Sequence, residues 1–502
     1  MSCDSIMHYI VVHLKCMAAN RRMAGGTNRP SKARVWAGCA GRDRGPRGIV
    51  DSMVSQTVSS WGNLARSSSL VYGLRSRYDA FPAIPVGATI LPYGNGRSYG
   101  DSCLNPGGAL LLTRSQDRFI GFDRDAGLIT CEAGILLADI LRLTVPAGWF
   151  LAVVPGTSAA TVGGAIANDV HGKNHHRAGT FSRHVRQFEL LRSDGQRLTC
   201  SPGANTDFFG ATVGGLGLTG LITCAQLQLR RIPGAGMDLE IIRFANLDEF
   251  FRLSEVSDQN FEYTVAWVDC LARGRSLGRG LFQRANHSAS PMGHAKVRTG
   301  HLAMPFMAPF SLVNTATLRL FNFLYYHRPG IRRRRREHFQ SFFFPLDSVA
   351  NWNRLYGPRG FYQYQCVIPE QAGPEATARL LEKIARSGQG SFLAVLKQFG
   401  SLSSAGMLSF PQCGVTLALD FPNTGARIEH LFTQLDEILA AAGGRLYPAK
   451  DARMPAELFR HTYPRWREFA RYVDPACSSG FWRRMTQGEV VPNRATPPTE
   501  RA

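Results

Sequence analysis

The chain has 502 residues and no uninterrupted apolar run of eighteen or more. No segment therefore reads as a membrane-spanning helix. Its eleven cysteines form no CxxC pair and keep no regular spacing. That speaks against a zinc cluster or a disulfide framework and for free thiols in a reducing compartment. Acidic residues are few: 37 Asp and Glu face 58 Lys and Arg, for a net charge of +21. No nucleic-acid motif accompanies the excess, so nucleic acid is not the expected partner. An anionic lipid surface or a phosphorylated substrate is. No internal repeat is visible in the sequence.

What the chain does have is two glycine-punctuated loops after apolar runs, GNGRSYGD (94–101) and PGTSAATVGGAIANDVHGKNHH (155–176). A Cβ obstructs main-chain N–H groups that must crowd around a pyrophosphate or a flat ring edge, so glycine is used there. Gly94, Gly96, Gly100, Gly156, Gly163 and Gly164 alternate with the small donors Ser98, Thr157, Ser158 and Thr161. Alone, this pattern points to a phosphate-bearing ligand.

A third glycine run, GLGLTG (215–220), fits GxGxxG, with Asp238 and Glu240 near the expected acidic position. A dinucleotide fold needs a helix after those glycines. Here LITCAQLQLRRIPG alternates like a strand, so the Rossmann reading is rejected. HGKNHH spaces His171 and His175 as a zinc helix would, but Gly172 disfavours the helix and no HExxH glutamate follows. No metal is expected.

The residues also resemble a family. GNGRSYGD followed by PGTSAATVGGAIANDVHGKNHH is similar to the vanillyl-alcohol-oxidase class of FAD-linked oxidases, from about residue 55 to about 486. FYQYQCVIP (361–369), SFLAVLKQFG (391–400) and GGRLYPAKDAR (443–453) continue the likeness in order. The strongest resemblance is to the branch that oxidises polyprenyl-phosphoryl ribose as the oxidase half of a 2-epimerase. It implies an α+β, two-domain FAD-binding fold with a substrate, or cap, domain. It also implies oxidation of a pentose secondary alcohol to the 2-keto sugar, en route to arabinose. The alternative is an aldonolactone or alditol oxidase acting on a free soluble sugar.

By resemblance, FAD is held by Tyr93, Gly94, Asn95, Gly96, Arg97, Ser98, Tyr99, Gly100 and Asp101. Pro155, Gly156, Thr157, Thr161, Val162, Gly163, Gly164 and Asn168 continue that grip. His171, Gly172, Lys173, Asn174, Gly217, Ile222 and Tyr447 complete it. Relatives in the aldonolactone branch attach the flavin to a histidine where this chain has Arg97, so a non-covalent FAD is expected. Lys450, Tyr99 and His171 are the candidate catalytic residues; Gln365, Lys397, Thr416 and Lys450 are the candidate substrate contacts. A buried lysine can orient a hydroxyl or take its proton. The family's inhibitor-reactive cysteine has no counterpart, because Ala418 stands there.

The sequence divides into a basic extension over 1–52, an FAD-binding domain over 53–235 and a cap domain over 236–440. A segment over 441–486 should return to the flavin, and 487–502 should be a disordered tail. The extension is expected to be either disordered or the product of a mis-assigned start, with Met53 the true one. Strands are expected at 361–369 and 414–422, with a helix between them (EATARLLEKIARSG) and βαβ-like units in the cap. Gln283 to Pro309 reads as a long loop, and Arg332–Arg336 as a solvated basic loop able to meet anionic lipid. The implied partners are a polyprenyl-phosphate-linked sugar, a short-chain dehydrogenase/reductase and an anionic membrane. The implied location is peripheral, on the cytoplasmic or periplasmic face of an inner membrane.

Overall fold

In the strand Leu221–Arg231, buried residues alternate with half-exposed ones along most of its length. That is the period of a sheet covered on one face. The computed structural model describes residues 54–289, 302–304, 306–328, 334–487 and 489. Most of the expected extension and tail, together with Arg332 and Arg333, lies outside the described residues.

Two sheets build the first half of the chain. One has four strands in the order Val54–Ser59, Arg66–Gly73, Ala109–Leu112, Ile90–Tyr93. The other centres on Leu221–Arg231, flanked by Leu128–Glu132 and Val185–Leu191. The glycines of GLGLTG thus lead into a strand, and they follow a helix, Thr206–Thr212. Asp238 and Glu240 bond to Arg336 and Arg284, which removes the last element of a dinucleotide site.

The second half holds one eight-stranded sheet. Every neighbouring pair in it is antiparallel. Its strands fall into two sets of four. The first set is Gly236–Phe244, Tyr263–Val268, Gly280–His287 and Arg334–His338; the second is Phe361–Pro369, Val395–Phe399, Gly414–Pro422 and Arg445–Leu446. In each set the first and third strands are central, the second flanks the third, and the fourth flanks the first. That is the split βαβ order of ferredoxin-like units, present twice. The sets meet where Trp267 lies opposite Val395 and Ala266 opposite Leu396. A topological repeat therefore exists where the sequence shows none. Helix-linked strands are parallel but never adjacent, which refines the expected βαβ units.

Helices Leu247–Asp258, Gly373–Ser387 and Ala426–Ala441 cover the outer face of this sheet. Phe250, Leu381 and Leu435 share one core there with Phe282, Leu396 and Leu417. The remaining long helix, Thr315–His327, packs on the opposite face: its Tyr325 meets Trp267 edge-on, ring centroids 4.7 Å apart.

Three expectations change. The presumed loop from Gln283 begins inside a strand that runs to His287, and Leu302–Ala303 pairs with Val349–Ala350. The end of the arginine run is an edge strand, with Arg335 bonded to Glu337. The cap sheet's last strand is Arg445–Leu446, beyond the expected boundary at 440. From there the chain crosses to the first half, where Tyr99 N donates to Ala449 O (3.0 Å), Ile90 N to Ala476 O (2.8 Å) and Gly480 N to Leu104 O (2.8 Å).

Candidate active site

Strand alternation points every second residue of the eight-stranded sheet inward, toward the glycine loops. Val265 and Trp267, Gln363 and Gln365, Val395 and Lys397, and Ala418 and Asp420 form this floor. Opposite lie the loops 92–99, 154–164 and 216–222, and between them is a cavity of about 740 Å³. That size suits a cofactor together with part of a substrate.

The two glycine loops are locked to each other and to the cap. Asn95 Nδ2 donates to Ala159 O at 2.7 Å, and Thr161 Oγ1 caps its short helix by accepting from Gly164 N at 3.1 Å. A Cβ at Gly94 would lie 2.5 Å from Thr161 Oγ1, and one at Gly100 only 1.7 Å from Asp451 O. These two glycines serve the approach of protein to protein. A Cβ at Gly156 would meet no protein atom within 4 Å, although Gly156 lines the cavity. There the expected reading, backbone left bare for a ligand, fits. Thr157 and Ser158 are committed elsewhere: Thr157 Oγ1, Ser158 N and Ser158 Oγ each donate to the Asp347 carboxylate at 2.7 Å.

The chemistry gathers at the other end. Lys450 Nζ sits 3.8 Å from the centre of the buried Tyr99 ring. Burial lowers its pKa to about 8; Asp420 opposes that shift and Lys397 adds to it. Lys397, also lowered to about 8 by burial, has its Nζ 3.4 Å from Gly172 O. Asp420 is raised to about 7, chiefly by burial, and accepts from Gln363 Nε2 at 2.6 Å. Gln365 Nε2 lies 2.9 Å from His171 Nε2, a donation that leaves the ring proton on Nδ1. Burial, then the charge of Lys397, keeps His171 neutral. Tyr447 packs against the His171 ring at 5.3 Å and donates to Asn168 O at 2.8 Å.

Most expected site residues line this cavity: Tyr93 to Tyr99, Pro155, Gly156, Thr157, Thr161, Gly163, Gly164 and Asn168. So do His171, Gly172, Lys173, Gly217, Ile222, Gln365, Lys397, Tyr447 and Lys450. Five do not line it. Gly100 packs on the Asp451 backbone, and Asp101 accepts from Arg484. Val162 is core, and Asn174 Nδ2 donates to Ala152 O at 2.9 Å. Thr416 lies opposite Lys397 in the sheet, one step beyond the lining residue Ala418.

Asp420, Gln363, Trp267 and Asp347 are lining residues that the motifs did not mark. For Asp420 a signal existed: in GVTLALDFP a lone carboxylate interrupts an apolar strand, on the same face as Ala418.

The cavity fits FAD. Two buried polar atoms on its wall, Arg97 Nε and His171 Nδ1, have no protein partner. Gly156 leaves open space for a ligand, and the cations Arg97, Lys173, Arg328, Lys397 and Lys450 suit a pyrophosphate or another anion. Among the described residues no cluster of His, Cys, Asp and Glu could hold a metal, and no helix is long and apolar enough to cross a membrane.

Comparison with known proteins agrees. An FAD binding domain family matches residues 86–201. The chain is 37% identical over 402 residues to decaprenylphosphoryl-β-D-ribose oxidase of Mycolicibacterium smegmatis, covering 78% of this chain and 87% of that protein. It is 35% identical over 361 residues to an uncharacterized protein in the mprA 5' region of Streptomyces coelicolor, covering 68% of this chain and 96% of that protein. Likeness to mouse L-gulonolactone oxidase is 33% over 138 residues, 27% of this chain and 30% of that protein. The chain belongs to the vanillyl-alcohol-oxidase, PCMH-type family of flavoproteins and is an FAD-dependent oxidoreductase. The match to the ribose oxidase covers 78% of the chain, whereas that to the gulonolactone enzyme covers 27%.

Proposed function

We propose that this protein oxidises a secondary alcohol of a polyprenyl-phosphoryl pentose, of the ribose type, to the 2-keto sugar. The observation that carries this reading is the lysine pair at the buried end of a large, cation-rich cavity. FAD, when bound, supplies the two-electron acceptor for a hydride leaving the carbinol carbon. Lys450 orients the substrate hydroxyl and takes its proton. Its lowered pKa puts a neutral amine within reach near neutral pH. Tyr99 fixes Lys450 from one side, and His171, held neutral and anchored by Gln365, keeps its Nδ1 proton available as a donor. Lys397 and Gln365 bind the sugar hydroxyls. Arg97 stands where a covalent histidine would, so the flavin is held without a bond to the protein. Tyr93 to Ser98 and Pro155 to Gly164 are the principal grip on it. A separate short-chain dehydrogenase/reductase would reduce the ketone from the opposite face, inverting the carbinol centre toward arabinose. The enzyme would work peripherally at an inner membrane.

The test is incubation of the yellow protein with synthetic polyprenyl-phosphoryl ribose, followed by mass analysis. A product lighter by two hydrogens, which borohydride returns as a mixture of epimers, is expected. Recovery of unchanged lipid-linked sugar, with turnover of a free aldonolactone instead, would replace this reading with the soluble-sugar alternative.

A further inference from the structure

The helix Thr315–His327 has two apolar faces. Its inner face buries Leu318, Phe321 and Tyr325, and Tyr325 lines the cavity. Its outer face carries Leu320, Phe323 and Leu324, exposed by 62%, 57% and 52%. Positions one, four and five of a helical run lie on one side, so these three form a continuous stripe. Phe306, Met307 and Phe310, on the stretch leading into the helix, are exposed as well.

The repeated topology supplies a comparison. Ala426–Ala441 follows the third strand of the second set, as Thr315–His327 follows the third strand of the first. Its exposed residues include Arg427, Glu429, His430, Thr433 and Glu437. The two helices pack on opposite faces of the sheet, and of the two only Thr315–His327 exposes large apolar side chains. Exposed cations follow in sequence: Arg319 on the helix beside Leu320, and Arg334 at the start of the next strand. The whole chain carries +21.

We infer that the outer face of Thr315–His327 docks on a bilayer bearing anionic headgroups, with Leu320, Phe323 and Leu324 entering the acyl boundary. This rests on the reading that the substrate is lipid-linked. An amphipathic surface of this kind binds through buried apolar area plus attraction between basic residues and anionic lipid. Because the inner face of the same helix walls the cavity, docking holds that wall at the surface where a polyprenyl tail is anchored. A sugar headgroup then reaches the lysines without its tail leaving the bilayer.

The experiment is co-sedimentation of the FAD-loaded protein with phosphatidylcholine vesicles, with and without phosphatidylglycerol. Wild type should sediment with the anionic vesicles, less so at high salt. The triple variant Leu320→Gln, Phe323→Gln, Leu324→Gln should bind at least about tenfold more weakly. Wild type that stays in the supernatant, or a triple variant that binds like wild type, would overturn the inference. So would a wild-type dimer that the triple variant abolishes without any vesicle binding, which would assign the face to a second copy. Should the triple variant lose its flavin, Phe323→Trp keeps the surface apolar. Its added fluorescence should be quenched by brominated-chain lipid, and unquenched emission contradicts docking. Turnover separates the two ideas. With substrate dispersed in detergent the triple variant should match wild type, and with substrate in vesicles it should fall behind. Absence of wild-type turnover in detergent would refute the substrate reading, while sedimentation still judges docking.

Discussion

The two halves of the eight-stranded sheet share one strand order and differ in what they present to the cavity. The second contributes Gln363, Gln365, Lys397, Asp420 and, just past its last strand, Lys450. The first contributes Val265, Trp267, Gln283, the ion-paired Arg335 and Glu337 of its edge strand and, from the helix on that face, Tyr325. At the seam the contrast is sharpest. Trp267 and Lys397 both lie on second strands, both face inward, and one is a large ring where the other is a cation. The two lysines and Asp420 thus come from one half, and the aromatic wall of Trp267 and Tyr325 from the other.

The largest effect that could break this division is at Lys450. Lys450→Ala should keep the flavin and lose about 10²–10⁴-fold in turnover, the usual contribution of a positioned proton-transfer group. Trp267→Ala should leave turnover within about tenfold and act mainly on KM, as loss of uniform binding does. Steady-state kinetics on flavin-replete samples checks both. The reverse pattern would place the chemistry in the first half.

Next in size is the tie between the glycine loop and the cap. Asp347→Ala removes three hydrogen bonds, all to one carboxylate. The flavin should dissociate about tenfold more readily, given what charged hydrogen bonds contribute. Fluorescence of released flavin on dilution measures this.

A subtler effect concerns pH. Turnover needs neutral Lys450, so it should rise with pH through a limb near 8. Asp420 holds the charged form of Lys450, so Asp420→Asn should move the limb to lower pH. Lys397 repels that charge, so Lys397→Met should move it to higher pH. Shifts in one common direction would show that the limb belongs to another group. Smallest of all, acid should release the flavin from wild type, because Arg97 cannot hold it covalently. Colour that stays with the denatured chain would contradict this.

Much of the site was legible because it is local. GNGRSYGD and PGTSAATVGG are continuous loops, and nearly every residue expected from them lines the cavity. The glycines of these loops do not all serve the ligand. Gly94 and Gly100 clear protein atoms, and Gly156 alone of these three leaves space for a ligand. What stayed hidden is non-local. Asp347 meets Thr157 from 190 residues away, and no pattern in either segment marks the pairing. The doubled strand order escaped notice because it lies in which strands pair, and strands adjacent in the sheet are far apart in the chain. The arginine run looked like a loop since consecutive charges seldom form strands. Its described end, from Arg334, pairs as a strand with Gly236–Phe244, where Asp238 accepts from Arg336.

The most direct test of the account is anaerobic reduction of the bound flavin, which needs no knowledge of the final electron acceptor. Mixed with polyprenyl-phosphoryl ribose in detergent, wild type should lose its yellow absorbance in a single exponential. Lys450→Ala should bleach about 10²–10⁴-fold more slowly, and a free aldonolactone should leave the spectrum unchanged. Rapid bleaching by the aldonolactone, with none by the lipid-linked pentose, would contradict the account.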